Sequence, residues 1–199
     1  VRRLVGSEMC IRDSIYGSLE IMKLLSYKNK LPKISKNVFV ASGSSIIGDV
    51  EIDEMSSIWF NCALRADVNY IRIGKKTNIQ DGTIIHVSSG GFSATGGGGN
   101  PTIIGDNVTI GHNATIHACV INSNSLIGMG SVILDKAVID EMSFVAAGCL
   151  IPPGTIVKRN ELWAGNPGRC IRKLKDKEKE LILNTPETYY KLSKEFMRK

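Results

Sequence analysis

The sequence lacks several features that would place it in a special class of protein. No run approaches the roughly 20 consecutive apolar residues that a membrane-spanning helix needs, and no secretory signal is visible. The five cysteines are odd in number and have no CxxC spacing, so neither a disulfide framework nor a cysteine zinc site is indicated. Aromatic residues make up only 6% of the 199 residues, which favours an aliphatic core. We therefore expect a cytoplasmic protein with one domain-sized core and no membrane partner.

The net charge of +6 does not predict nucleic-acid binding, because the excess lies at one end of the chain. Residues 158–199 contain 12 basic and 6 acidic side chains, and lysines alternate with acids between residues 173 and 180. Such alternation is typical of a solvated helix face. We therefore expect no nucleic-acid partner.

The first residues, VRRLVGSEMCIRDS, share no periodicity with the rest of the chain. They resemble a translated sequencing-library adaptor. Residues 1–21 are therefore interpreted as a non-native or disordered extension, and Met22 as the expected native start.

An aliphatic residue recurs every six positions over most of the chain. The period is interrupted only by a three-residue bulge after Leu64, a long insertion after Ile85 and a five-residue step after Ile116. A six-residue period fits neither an α-helix nor a half-buried strand, and it indicates short strands separated by tight corners. The recurring residues, called rungs below, are Val40, Ile46, Ile52, Ile58, Leu64, Ile73, Ile79, Ile85, Ile104, Ile110, Ile116, Ile121, Ile127, Ile133, Ile139, Val145, Ile151 and Val157.

This hexapeptide pattern resembles the left-handed parallel β-helix, an all-β fold in which three short strands form each triangular coil. The rungs predict about six coils, which we assign to residues 22–157. Residues 158–199 lose the period and are expected to form a Gly/Pro turn and a broken C-terminal helix packed on the prism. Thr185 before Pro186 predicts an N-cap at the break.

All three histidines lie between residues 86 and 117, and their register predicts a shared site. His86 and His117 each follow a rung, and these two rungs are one coil apart once the insertion is set aside, so the imidazoles should stack. His112 belongs to the preceding face and does not easily reach an ion held by the stacked pair. If three prisms pack about a threefold axis, His112 of the next copy completes the site, which predicts a homotrimer with three equivalent metal sites. For any one histidine alone, a polar corner residue is the alternative interpretation.

Three imidazoles with an open fourth position are a known arrangement for catalytic zinc. The metal lowers the pKa of bound water to about 7 and makes hydroxide available at neutral pH. That is the chemistry of carbon dioxide hydration. Cobalt or ferrous iron would accept the same ligands, so the ligand type leaves the metal open.

Two segments, LRADVNYIRIGKKTNIQDGTIIH and PTIIGDNVTIGHNATIHAC, resemble the γ-class carbonic anhydrase family, as does the turn GNPGR. The resemblance covers about residues 31–195. It implies a zinc enzyme that converts carbon dioxide reversibly to bicarbonate, with His86, His112 and His117 as the metal ligands.

The resemblance also implies roles for five further residues. Gln80 and Asn78 would orient the reacting hydroxide or the bicarbonate. Arg65 and Asp81 would pair across the subunit boundary near the site, and Asp67 would lie in the same interface. For Arg65, Asp67 and Asp81 the alternative is an interface ion network without a catalytic role.

The sequence departs from the family pattern at two places. Well-studied members carry a glutamate directly after the Arg-x-Asp and another in the loop between the first two histidines, and these move protons to solvent. Here Val68 takes the first position and residues 88–101 contain no acid, which leaves fast proton export without an assigned residue. The same glycine-rich loop is either a mobile lid beside the metal or a tolerated insertion. Tyr189 is similar to a tyrosine that some relatives place near the site, or it serves only in packing.

Two other functions are compatible with the predicted fold. Coenzyme A-dependent acyltransferases share the hexapeptide prism, but they need a general-base histidine and a coenzyme A groove rather than three converging histidines. A non-catalytic trimer that keeps the metal as a structural staple is favoured by the loss of both glutamates. Because the geometry of a site carries more weight than a fold, carbonic anhydrase is our leading prediction.

Overall fold

The described part of the chain forms a triangular prism of stacked strands with a C-terminal helix against a face. The computed structural model describes residues 23–90 and 98–198, so the predicted extension at residues 1–21 and the expected start at Met22 lie outside the described residues. The strands are β1 (Lys23–Leu25), β2 (Lys33–Ile34), β3 (Phe39–Val40), β4 (Ser45–Ile52), β5 (Ser57–Ile58), β6 (Ala63–Ile73), β7 (Asn78–Ile79), β8 (Ile84–His86), β9 (Thr102–Ile104), β10 (Thr109–Ile110), β11 (Thr115–His117), β12 (Val120–Ile121), β13 (Leu126–Ile127), β14 (Val132–Ile133), β15 (Val138–Ile139), β16 (Phe144–Val145), β17 (Leu150–Ile151), β18 (Ile156–Val157), β19 (Glu161–Gly165) and β20 (Gly168–Lys173). The helix α1 (Asp176–Met197) follows.

Three strands make each turn of the prism, and each strand lies parallel on the strand one turn earlier. The first face contains β1, β8, β11, β14, β17 and the first halves of β4 and β6. The second contains β2, β9, β12, β15, β18 and the second halves of β4 and β6. The third contains β3, β5, β7, β10, β13, β16 and β19, with β20 added antiparallel to β19. The predicted left-handed β-helix is therefore confirmed, with about seven turns.

The extra turn comes from rungs at the two ends of the prism. Ile34 stands six residues before Val40 and pairs with Ile52. Trp163 stands six residues after Val157 and pairs with Val145. The period therefore continues beyond the aliphatic rungs, and its last member is a tryptophan.

The interior of the prism is a column of aliphatic layers. On the first face Leu64 pairs with Ile85, and Ile85 pairs with Ile116. All three side chains have no exposed surface. Burial of a side chain of this size contributes about 1.5–3 kcal/mol, so the stacked rungs fix the register strongly. The rung register in turn decides which polar residues meet along each edge of the prism.

The corners of the prism use left-handed backbone at the same six-residue interval. In the C-terminal half, positive φ angles fall three residues after each rung, at Asn107, Asn113, Asn124, Gly130, Lys136, Met142, Gly148, Gly154 and Asn160. Glycine and asparagine tolerate this conformation at little cost, whereas lysine and methionine do not. After Ile116 the positive φ comes one residue earlier, at Ala118, which accounts for the five-residue step.

The prediction of a broken C-terminal helix is wrong. Helix α1 is continuous from Asp176 to Met197 with Pro186 in its interior. Thr185 does not cap a helix there, because its hydroxyl donates a hydrogen bond to the Leu181 carbonyl (2.6 Å). Pro186 removes one backbone hydrogen bond, but both Pro186 and Ile182 are buried against the prism, and this packing outweighs the local signal.

Hydrogen bonds stabilise the start of α1, and aromatic packing stabilises its far end. The Glu178 side chain accepts a hydrogen bond from the Lys175 backbone N–H (2.7 Å), and the Glu178 backbone N–H donates one to the Lys175 carbonyl (3.0 Å). Near the other end, Tyr189 and Phe196 pack against Trp59 on the third face. The assignment of residues 158–199 as a separate segment stays an interpretation.

The described cysteines are free thiols in different environments. Cys62, Cys119 and Cys149 are buried free thiols, while Cys170 is exposed. Burial raises the pKa of Cys62 and of Cys119 to about 12, so neither is a thiolate at neutral pH. Among the described residues, no helix combines the length and the apolar character that crossing a membrane requires.

Candidate metal centre

The stacked rungs place a column of functional side chains along one edge of the prism. Arg65, His86 and His117 follow Leu64, Ile85 and Ile116 and pair with one another in successive turns. His86 and His117 therefore lie beside each other in successive turns, as the six-residue repeat predicts. The edge lies where the first face ends, at the C-terminal ends of β8 and β11.

The two imidazoles face each other through one nitrogen and face a carboxylate through the other. His86 Nδ1 and His117 Nε2 are 3.2 Å apart. His86 Nε2 lies 3.0 Å from Asp67 Oδ1, and His117 Nδ1 lies 2.5 Å from Asp135 Oδ1. Each ring is thus held between a neighbouring imidazole and an aspartate.

This arrangement favours a cation between the rings. An ionised carboxylate only accepts hydrogen bonds, so the proton of each neutral ring belongs on the nitrogen that faces its aspartate. The two facing nitrogens then both carry lone pairs, which repel unless a positive charge lies between them. Two nitrogens bound to one tetrahedral zinc at about 2.0–2.1 Å would lie about 3.3 Å apart, close to the spacing of the pair. The spacing of His86 and His117 therefore matches that of two ligands of one zinc ion.

The electrostatic surroundings favour the metal-binding form of His86. Burial lowers the pKa of His86, and the positive charge of Arg65 adds to the effect against the opposing influence of Asp67. Burial favours the neutral form of Asp67, but hydrogen bonds from His86 and Arg65 outweigh it and hold the pKa of Asp67 below its usual range. A neutral imidazole beside an ionised aspartate is the state in which a histidine binds metal.

His112 lies on another edge of the prism, where the third face ends. It follows β10 and sits one turn from Asp81, with His112 Nδ1 2.8 Å from Asp81 Oδ2. The His112 side chain is 39% exposed, and its second ring nitrogen is on the side away from this contact. The structure therefore brings His86 and His117 together and leaves His112 apart, as predicted.

Gln80 and Asn78 form a buried pair on the third face. Gln80 Nε2 donates a hydrogen bond to Asn78 Oδ1 (3.0 Å), and Asn78 Nδ2 donates one to Thr109 Oγ1 (2.9 Å). Asn78 is 1% exposed and Gln80 is 5% exposed. Because Gln80 directly precedes Asp81, this pair belongs with the His112 edge and not with the stacked histidines.

Arg65 forms an ion pair with Asp67 in the same chain, while Asp81 contacts His112. The predicted pairing of Arg65 with Asp81 requires two copies of the chain and stays a prediction.

Tyr189 packs edge-on against Trp59, which the packing interpretation expects. Burial raises the pKa of Tyr189 and the negative charge of Asp81 adds to it, so Tyr189 lies near the His112 edge as well.

The two departures from the family pattern lie in different surroundings. Val68 is 47% exposed and borders a cavity of about 500 Å³ that Asp49, Asp67 and Tyr70 also line. Ser88 and Asn100 close the base of the glycine-rich loop through a backbone hydrogen bond of 3.0 Å. Residues 91–97 of that loop lie outside the described residues, so the lid interpretation stays a prediction.

One residue of the site was missed by the sequence reasoning. Asp135, which contacts His117, belongs to the next turn of the prism, 18 residues further along the chain. The signal in the sequence is a carboxylate one coil away from a predicted ligand. The positions of the histidines do not reveal Asp135, because the residue behind the His117 ring is an aspartate.

Among the described residues, no group of three or more His, Cys, Asp and Glu side chains lies close enough to hold a metal ion. This agrees with the separation of His112 from the stacked pair. One copy of the chain therefore brings two of the three predicted ligands together at one edge and places the third on another edge.

Comparisons with known proteins agree with the fold. The family model described as dynactin subunit 5 matches residues 19–197. Gamma carbonic anhydrase 2, mitochondrial, of Arabidopsis thaliana is 44% identical over 170 residues, which are 85% of this chain and 60% of that protein. The chain thus spans about three fifths of the length of this relative.

A probable carbonic anhydrase of Methanocaldococcus jannaschii is 43% identical over 160 residues, which are 80% of this chain and 95% of that protein. Among solved structures, a hexapeptide transferase family protein from Anaplasma phagocytophilum matches with a TM-score of 0.80 and 40% identity, covering 87% of this chain and 98% of that one. Identity at this level over nearly the whole of a relative shows common descent. The chain therefore belongs to the γ-class carbonic anhydrase family.

Proposed function

We propose that the protein catalyses the reversible hydration of carbon dioxide to bicarbonate at three-histidine zinc sites between the copies of a homotrimer. The observation that carries this proposal is the facing pair His86 Nδ1 and His117 Nε2, 3.2 Å apart, with an aspartate on the far nitrogen of each ring. Such a pair is arranged to hold a cation. Cobalt or ferrous iron is an alternative occupant of the same ligands.

The third ligand in this proposal is His112 of a neighbouring copy. His112 lies on a different edge from the stacked pair, and its ring is oriented by Asp81. In a threefold assembly one edge of each prism meets a different edge of the next, so each copy gives its stacked pair to one site and His112 to another. Three equivalent sites result.

Each part of the chain has a separate task in this site. Bound zinc would acidify water and so supply hydroxide at neutral pH. Asp67, Asp135 and Asp81 hold the three imidazoles. Gln80, whose amide is held by Asn78, orients the reacting group. Arg65 keeps Asp67 ionised and in place.

The family resemblance leaves the export of protons without an assigned residue. Val68 is aliphatic and cannot carry a proton, and the family resemblance implies a glutamate at its position. We therefore expect carbon dioxide hydration that depends on buffer concentration more strongly than in an enzyme with a built-in shuttle, because buffer must accept the proton directly.

The test combines metal analysis, oligomer mass and stopped-flow carbon dioxide hydration on the purified protein. We expect a trimer with about three zinc ions and measurable hydration, according to the symmetry of the assembly. His117→Ala should lose both metal and activity while the fold, monitored by circular dichroism, is kept. A metal-free monomer would contradict the shared site.

Two other functions give different outcomes in the same experiment. An acyltransferase is supported by the likeness to the hexapeptide transferase family protein of Anaplasma phagocytophilum, and it predicts tight binding of coenzyme A without metal. A non-catalytic scaffold is supported by Val68 in place of a glutamate, and it predicts three bound metals with no hydration. The cytoplasmic location remains a prediction.

A further inference from the structure

Asp135 is an unusual carboxylate in this chain. It is 8% exposed, and among the described residues no other Asp, Glu, Lys or Arg is as buried. Removing an ionised carboxylate from water is costly unless the group is paired or accepts hydrogen bonds. The interactions that Asp135 makes must therefore offset this cost.

The principal contact of Asp135 is His117. Asp135 Oδ1 lies 2.5 Å from His117 Nδ1, so the two groups are in direct hydrogen-bond contact. The opposite nitrogen of the ring, Nε2, is the one that faces His86 Nδ1 at 3.2 Å. Asp135 therefore acts on the side of the ring remote from the facing pair.

The backbone around Asp135 is tied to the turn that follows His117. The Lys136 backbone N–H donates a hydrogen bond to the Ala118 carbonyl (2.8 Å), and the Gly154 backbone N–H donates one to the Asp135 carbonyl (2.8 Å). The segment is thus fixed from the turn below and the turn above. A carboxylate held in this way defines the position of the ring that it contacts.

We propose that Asp135 is a positioning residue, which keeps the proton of His117 on Nδ1 and turns the Nε2 lone pair toward His86. This inference rests on the proposed function in that the lone pair serves a metal ion. The two other aspartates lie in different surroundings. Asp67 also binds Arg65, and the Asp81 side chain is 41% exposed, so water can replace its contact.

The experiment compares the wild type with Asp135→Asn and with Asp140→Asn as the matched control. Asparagine keeps the shape of the side chain and removes the charge. Asp140 contacts Asn122 on another edge of the prism, so its substitution makes the same change of charge away from the site. Circular dichroism of each variant establishes that it is folded.

The first measurement is the protonation of the His117 ring in the metal-free proteins, from the nitrogen-15 shifts of its two ring nitrogens, with His117→Ala for assignment. We expect the proton on Nδ1 in the wild type and in Asp140→Asn, and a mixture of both tautomers in Asp135→Asn. The second measurement is zinc affinity by competition with a chelator. We expect the dissociation constant of Asp135→Asn to rise about 10–100-fold and that of Asp140→Asn to stay unchanged.

Two results would overturn the role of Asp135. One is a proton on Nε2 of His117 in the wild type. The other is an Asp135→Asn protein whose tautomer and zinc affinity both match the wild type. If the wild type takes up no zinc, the proposed function fails instead, and the tautomer of the metal-free protein still decides the role of Asp135.

Discussion

The shared site makes a quantitative prediction for trimers built from two defective copies. His112→Ala removes the ligand at one edge and leaves the stacked pair, whereas His117→Ala breaks the stacked pair and leaves His112. In the structure these side chains lie on different edges of one prism, and in the proposed trimer a complete site would take its pair from one copy and His112 from the next. A homotrimer of either variant therefore has no complete site and should retain no zinc after dialysis against a weak chelator.

A ring that contains both variants behaves differently. A mixed trimer contains two copies of one variant and one copy of the other. In either composition, one of its three subunit junctions joins the intact stacked pair of a His112→Ala copy to the intact His112 of a His117→Ala copy. Mixed trimers should therefore hold about one zinc ion, against about three in the wild type. With random assembly of equal amounts, about three quarters of the rings are mixed, so the unfractionated protein should recover about a quarter of the wild-type zinc content.

The assay is co-expression of the two variants with different affinity tags, purification on both tags, and metal analysis with stopped-flow hydration. The matched control is His117→Ala co-expressed with His86→Ala, because both copies then lack the stacked pair and no junction is complete. Mixed trimers without zinc, or a His112→Ala homotrimer with the full zinc content, would refute the reasoning that the third ligand comes from a neighbour.

Three predictions concern the prism and its helix. Ile127 is fully buried, so Ile127→Ala should lower the free energy of unfolding by about 2–5 kcal/mol in urea denaturation, and a loss under about 1 kcal/mol would contradict the packing of the column. Met55 has a φ of 62°, so Met55→Gly should raise the same free energy by about 1 kcal/mol, whereas Met129→Gly, outside the left-handed region, should not raise it. Arg172 lowers the pKa of Glu178 to about 2 from 4.5, so this pair contributes stability above about pH 4.5 that is lost as pH falls toward 2. The difference in thermal midpoint between the wild type and Arg172→Gln should therefore shrink between pH 5 and pH 2, and a constant difference would exclude this pair as its cause.

The sequence was sufficient for the architecture because the fold is nearly one-dimensional. In a β-helix each coil contacts its neighbours along an axis, so a constant period along the chain becomes a constant position in space. For that reason the stacking of His86 on His117 and the separation of His112 followed from counting rungs. The same counting, begun at Val40, omitted the rung at Ile34 and the tryptophan at the other end.

Local signals were less reliable where the chain leaves the repeat. Thr185 and Pro186 have the composition of a helix start, yet α1 passes through them without interruption. The free energy of burying Pro186 and Ile182 against the third face is a tertiary quantity that no window of local sequence contains. Thr185 then bonds within the helix instead of capping it.

The sequence by itself determined the prism, its period and the two edges on which the histidines lie, since rung spacing alone sets position along a solenoid. The tertiary structure decided which nitrogen of each ring faces its partner and which carboxylate lies behind it. Those features depend on side chains from successive turns meeting at an edge, as Asp135 meets His117, and on the burial that makes such a contact necessary.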